Sequence, residues 1–217
     1  MLFGPSIFWT PCVVHTLNLA LKNMCTSEKE NKASKYPLCN WIREIEKEIE
    51  LIRNLVVNHS GALSIYNKYA PLRLLSVAET RFASTLILVK RIPEVREALC
   101  QMVVDPNWRF LKDDDADKAR KIKLLLVDDQ WWEKIDFLVS FTNPIVRLLR
   151  ECDTDNPMLH LVYEKWDCMI EQVREIIHKN GNRNPVDNAE AFYEEIHGNL
   201  SGDGQRAQPH CIAWHIA

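Results

Sequence analysis

The chain has 217 residues, 47% of them hydrophobic and 26% charged, which places it among ordinary globular proteins and excludes wholesale disorder. Lys plus Arg number 27 against 30 Asp plus Glu, a net charge of −3, so a global excess of positive charge for wrapping nucleic acid is excluded, although a local basic patch is not. With 6 Gly and 10 Pro, glycine-rich and collagen-like architectures are excluded as well.

In chain order, Ile7-Phe8-Trp9-Thr10 is aromatic and β-branched and reads as a short buried strand that Pro11 ends. From Val13 the pattern becomes helical, with Val14, Leu17, Leu21 and Met24 three or four apart. Residues 28–35 are polar and read as a surface loop. The clearest helix covers about Leu38 to His59, with Trp41, Ile45, Ile49, Ile52 and Val56 on its apolar face and Glu44, Lys47, Glu48 and Glu50 on its wet one. Ser60-Gly61 breaks it, and a shorter helix runs to about Tyr69.

After a connector at 71–81, a helix from Ser84 to about Val103 carries Pro93, which removes a backbone donor and predicts a kink or split near Arg91. Asp105-Pro106-Asn107 reads as a turn. Asp113, Asp114 and Asp115 cap a helix through about Val127. Asp128 and Asp129 open another, with Trp131, Ile135, Leu138 and Val139 inward and Pro144 as a second kink. Pro157 opens a helix to about Lys179, and a last helix covers about Ala189 to Leu200. Trp131, Trp132 and Trp166 stand at helical spacing with aliphatics and read as core.

The seven cysteines, Cys12, Cys25, Cys39, Cys100, Cys152, Cys168 and Cys211, are scattered and never form Cys-x-x-Cys, which suits reduced thiols in cytosol or nucleus. Met1-Leu2-Phe3-Gly4-Pro5 has neither the basic nor the apolar region of a signal peptide. No apolar run approaches the length of a membrane span. Neither a Gly-x-Ser-x-Gly nucleophile elbow, nor a phosphate loop, nor a dinucleotide fingerprint occurs.

Several blocks in order carry a resemblance. They are Ile7 to Cys25, with Cys12-Val13-Val14-His15 inside it; Glu79-Thr80-Arg81-Phe82-Ala83-Ser84; Gln130-Trp131-Trp132-Glu133-Lys134-Ile135; and Leu159-His160-Leu161-Val162-Tyr163. The chain resembles plant hAT-superfamily transposases over about Ile7 to Leu200, and Cys12 and His15 match the family's Cys-x-x-His motif. Pro209 to Ala213 looks like a degraded copy of a later block.

The resemblance implies a mainly α fold, a multi-helix insertion domain preceded by one strand and one helix left from an RNase H-like α/β core. It implies a core remnant at 1–26, a helical insertion-like domain at 27–200 and a divergent tail at 201–217. Intact relatives use two Asp and one Glu to hold two Mg²⁺ ions for cutting and joining DNA. That trio is expected to fall outside this chain, so the expectation is a truncated, catalytically inactive protein with no cofactor and no metal of its own, located in the nucleus by family resemblance. Cys12 and His15 make only half of a four-ligand zinc set, and the simplest reading has Cys12 as a buried thiol with His15 capping or packing on the first helix.

DNA contact is the activity that remains. Between Leu51 and Val104 there are seven basic residues, Arg53, Lys68, Arg73, Arg81, Lys90, Arg91 and Arg96, against Glu79, Glu94 and Glu97. Lys68, Arg73, Arg81, Lys90 and Arg91 are the candidate phosphate contacts. Phe82 stands where the family usually has a Trp that stacks on a flipped base; the other reading is a core aromatic at a helix start. The alternative functions are a host protein-interaction module, self-associating through apolar surface around Phe8, Trp9 and Val13, and a gene remnant without selected function.

Overall fold

A computed structural model of the chain describes residues 12–25, 35–74, 83–110, 116–154, 160–180 and 185–201. Among the described residues the protein is mainly helical, with nine α-helices and no strand. Ile7 to Thr10, the expected strand, and the tail beyond Ser201 lie outside the described residues.

Helix α1, Val13–Cys25, begins where the Cys12 carbonyl accepts the Thr16 N–H at 2.9 Å. It buries Leu17, Ala20, Leu21 and Met24, and Val13 is half-buried against the same core. A 3-10 turn at Pro37–Cys39 leads into α2, Asn40–Asn58. The apolar residues of α2 recur every three or four positions, so Ile42, Ile45, Ile49, Ile52 and Val56 all reach the interior. His59 then turns the chain, its Nδ1 accepting the Ala62 N–H at the start of α3, Ser60–Tyr69.

Pro93 acts later than expected. Helix α4, Ala83–Glu94, contains the proline, and the break falls at Val95, from which α5, Arg96–Val104, starts. Pro93 cannot donate to the Val89 carbonyl, yet the Val95 N–H still reaches Arg91 and Ile92 carbonyls at 3.2 Å. The last turn therefore tightens before it ends, and the split follows Glu94 rather than Arg91. A 3-10 segment, Pro106–Phe110, and α6, Ala116–Leu126, follow; Asp113 to Asp115 lie outside the described residues.

Pro144 does not interrupt α7, Asp129–Cys152, the longest helix. Asp128 caps it, its carboxylate accepting the Gln130 N–H at 3.0 Å. Helix α7 packs on α1, α2, α4, α6 and α8, and that packing keeps it continuous through the missing donor. Helix α8, Val162–Lys179, starts five residues after Pro157, because His160 and Leu161 form a turn and the Leu161 carbonyl accepts the first helical bond, from Lys165 N at 3.0 Å. Helix α9, Ala189–Ser201, is opened by Asn188, whose side chain accepts the Ala191 N–H.

One core joins these helices. Trp41 of α2, Phe137 and Phe141 of α7 and Phe192 of α9 form an aromatic cluster with centroids 5.4–6.4 Å apart, in the offset and edge-on arrangements that ring quadrupoles favour. Trp131, Trp132 and Trp166 are buried, as their spacing predicts. Asn199 of α9, buried, donates to the Ala20 carbonyl and accepts from Asn23, keying α9 onto α1. No helix among the described residues is long and apolar enough to cross a membrane.

Candidate nucleic-acid interface

The basic residues singled out from the sequence meet three different fates. Lys68, near the end of α3, reaches Asp105, in the turn after α5, at 2.9 Å. Tyr69 Oη donates to the same carboxylate oxygen at 2.7 Å, and the Asn107 N–H donates to the other at 2.8 Å. The Asp105 side chain is shut off from solvent while the Lys68 side chain keeps more than half of its exposure. Most of the ammonium's field is thus answered by a buried carboxylate, and Lys68 braces α3 against the end of α5.

The same contacts set the titration. Lys68 first, then the Asn107 N–H and Tyr69, hold the Asp105 carboxyl well below the usual carboxylate range. Hydrogen bonds with Tyr69 and Asp105 push the Lys68 ammonium upward. A depressed carboxyl stabilises the fold above its ordinary pKa of 3.8, and that contribution disappears as pH falls through the folded value. Asp105→Asn should therefore lower the unfolding midpoint at neutral pH, and its deficit relative to the parent should shrink as pH falls below about 4. A deficit that stays constant down to about pH 2 would contradict the clasp.

Arg91 on α4 is also engaged, at 2.7 Å from Glu94 one turn on. Arg96 lies 3.4 Å from Asp129 with its guanidinium over the Trp132 ring. Arg73 lies exposed after α3. Arg81 and Phe82 lie outside the described residues.

Lys90 differs. Among the described residues its Nζ contacts only a neutral acceptor, Asn143 Oδ1 of α7, at 2.6 Å. Burial, then the nearby Arg150 guanidinium, push the Lys90 ammonium down, and Glu94 opposes them only in part. Two further cations lie outside the basic segment of the sequence, Arg150 near Lys90 and Arg147 about one turn before it on α7. Arg147 and Arg150 of α7 are exposed, and Arg147 Nη2 donates to the neutral Gln172 Oε1 of α8 at 2.7 Å. The signal was the spacing Asn143, Arg147, Arg150, four and three apart on one helix face. That spacing lies beyond Val104, outside the segment with the net basic excess.

The Cys-x-x-His residues are placed on the surface. Cys12 and His15 are both exposed at the start of α1, so Cys12 is not the buried thiol that the sequence suggested. The reason is local: Leu17, Ala20, Leu21 and Met24 take the inward face of α1, and Cys12 precedes its first turn. The six described cysteines are free, and burial pushes the Cys25 and Cys39 thiols far up. Among the described residues no group of three or more His, Cys, Asp or Glu is placed to hold a metal ion. A groove of about 230 Å³ lies elsewhere, lined by Leu51, Asn54, Leu55, Asn58, His59 and Lys118.

The sequence matches no protein-family model and no curated protein, and the structure matches no solved structure.

Proposed function

We propose that this chain is a helical, DNA-contacting protein derived from a hAT-type transposase, acting in the nucleus through its charge rather than by cutting DNA. In this reading α1 and the residues before it descend from an RNase H-like core, and α2–α9 correspond to the helical insertion. The resemblance of the ordered sequence blocks supports the ancestry, and the mainly helical fold accords with it. No step of cleavage or strand transfer is assigned to these residues, and Mg²⁺ belongs to intact relatives.

One observation carries the DNA-contacting role: the ammonium of Lys90 is partly desolvated, faces a second cation and, among the described residues, touches no carboxylate. A cation in that setting gains from a phosphate what Lys68 and Arg91 already gain from Asp105 and Glu94. The interface centres on Lys90, with exposed Arg73 as a peripheral contact and Lys68 and Arg91 demoted to bracing roles. Arg81 keeps the phosphate contact that the basic segment suggests, and Phe82 the base-stacking role that the resemblance implies.

The test is a fluorescence-anisotropy titration of a labelled duplex at 50 and 200 mM salt. Each neutralised phosphate contributes about −0.9 to the slope of log K against log salt, so two or three contacts weaken binding roughly 12- to 40-fold over that range. Salt-independent binding, or none at 50 mM, sinks the proposal. A second reading, a protein-interaction module, draws on Val104, Leu124 and Val127, whose side chains are the most exposed of the large apolar residues described. Monodisperse monomer in sizing chromatography would count against its self-associating form.

A further inference from the structure

We infer that Lys90 of α4 with Arg147 and Arg150 of α7 forms a discrete phosphate-binding site, in which Asn143 and Gln172 aim the cations. The inference deepens the DNA-contacting reading above by naming its residues and its ligand chemistry, and it rests on that reading only for the source of the phosphate.

The argument begins with charge. Among the described residues none of the three cations contacts a carboxylate: Lys90 bonds Asn143, Arg147 bonds Gln172, and Arg150 makes no ion pair. The carboxylates nearest along the helices are already committed, Glu94 to Arg91 at 2.7 Å and Glu151 to Lys165 at 2.6 Å. Like charges that Glu94 offsets only in part are a cost to the fold, and the downward push on Lys90 from Arg150 shows that these two feel one another. An anion relieves that cost.

Geometry then selects the anion. Asn143, Arg147 and Arg150 fall on one face of α7, and the seven steps from first to last span about 10 Å of helix. Lys90 adds its ammonium at the Asn143 end. The neutral amides fix the side chains without cancelling their charge: Asn143 Oδ1 holds Nζ, and Gln172 Oε1 takes one Arg147 Nη2 hydrogen. The remaining guanidinium donors suit the paired oxygens of a phosphate. A duplex presents one charge per roughly 1.7 Å of axis over both strands, so about 10 Å offers some six phosphates, and the exposed edge of one strand supplies the two or three that three cations can take.

The experiment uses the full chain, its Arg147→Ala/Arg150→Ala variant, its Lys90→Ala variant, and a control, Arg120→Ala/Lys121→Ala, that removes the same charge from the exposed surface of α6. Each is titrated with inorganic phosphate by calorimetry and with labelled duplex by anisotropy. The expected result is phosphate binding by parent and control that both site variants lose. With duplex, the Arg147/Arg150 variant should bind at least 10-fold more weakly and show a salt slope smaller by about 2, the control remaining near the parent. A site variant indistinguishable from the control with both ligands overturns the site. If duplex binding then persists, the DNA-contacting reading survives without this site. If phosphate binds and is lost in the site variants while no protein binds duplex, the site stands and the source of its phosphate is not DNA. Circular dichroism matching the parent confirms that the exposed substitutions left the helices intact.

Discussion

Phe141→Ala should lower the stability of the protein by about 3–5 kcal/mol, the cost of removing a buried aromatic and leaving a cavity. The Phe141 side chain is shut off from solvent at the centre of the fold. Its ring lies 5.4 Å from Phe137 on the same helix, 5.6 Å from Phe192 of α9 and 6.4 Å from Trp41 of α2. The substitution therefore takes one shared wall away from three helices at once. None of them can collapse into the space without disturbing the others, which places the effect in the upper part of the range for core substitutions. Denaturant unfolding followed by circular dichroism checks it: the midpoint should fall with little change in slope. A loss below about 1 kcal/mol would mean that the aromatic cluster does not hold α2, α7 and α9 together.

Glu195→Ala should cost about 2–3 kcal/mol for a different reason, the loss of charge-assisted hydrogen bonds to backbone donors. The Glu195 carboxylate reaches from α9 across to the entry of α2, where its two oxygens accept the N–H groups of Leu38 and Cys39 at 3.2 and 3.1 Å. Those donors belong to the 3-10 turn that leads into α2. Neither Tyr36 nor Cys39 supplies a side-chain cap there, so the acceptor comes from 156 residues along the chain. A carboxylate at a helix entry also meets the positive end of the helix dipole. Glu195→Gln keeps one good acceptor oxygen and should lose less than Glu195→Ala. Unfolding midpoints for both variants test this ordering, and equal losses would show that packing rather than hydrogen bonding accounts for the effect. Faster amide exchange at Leu38 and Cys39 in both variants would locate the change at the entry of α2.

Much of the helical organisation was legible because it depends on neighbours in the chain. The spacing of Ile45, Ile49, Ile52 and Val56 predicts α2 and its buried face, and the structure places all four in the core. The expected end of α3 near Tyr69 and the Asp128 cap of α7 hold for the same reason. Proline was legible only in part. Pro93 and Pro144 remove the same donor, yet one helix ends and the other continues. Helix α7 lies between α1, α2, α4, α6 and α8, and packing from several sides outweighs one missing hydrogen bond. The candidate site was legible least. The basic excess from Leu51 to Val104 includes Lys90 but does not distinguish it from Lys68 and Arg91, whose partners make them part of the scaffold.

The sequence by itself determined that this chain is helical, which face of α2 turns inward, and where α1, α3, α7 and α9 lie, because helix periodicity and capping act over three or four residues. The Arg91–Glu94 pair, three residues apart on α4, is local, but tertiary structure decided the fate of Lys68 and Lys90. Asp105 is 37 residues from Lys68 and neutralises it; Asn143 is 53 residues from Lys90 and leaves its charge intact; Arg150 faces Lys90 only because α4 packs on α7. A charge interacts over several ångströms through space, so its environment is set by which helices become neighbours, and no local pattern in the chain encodes that.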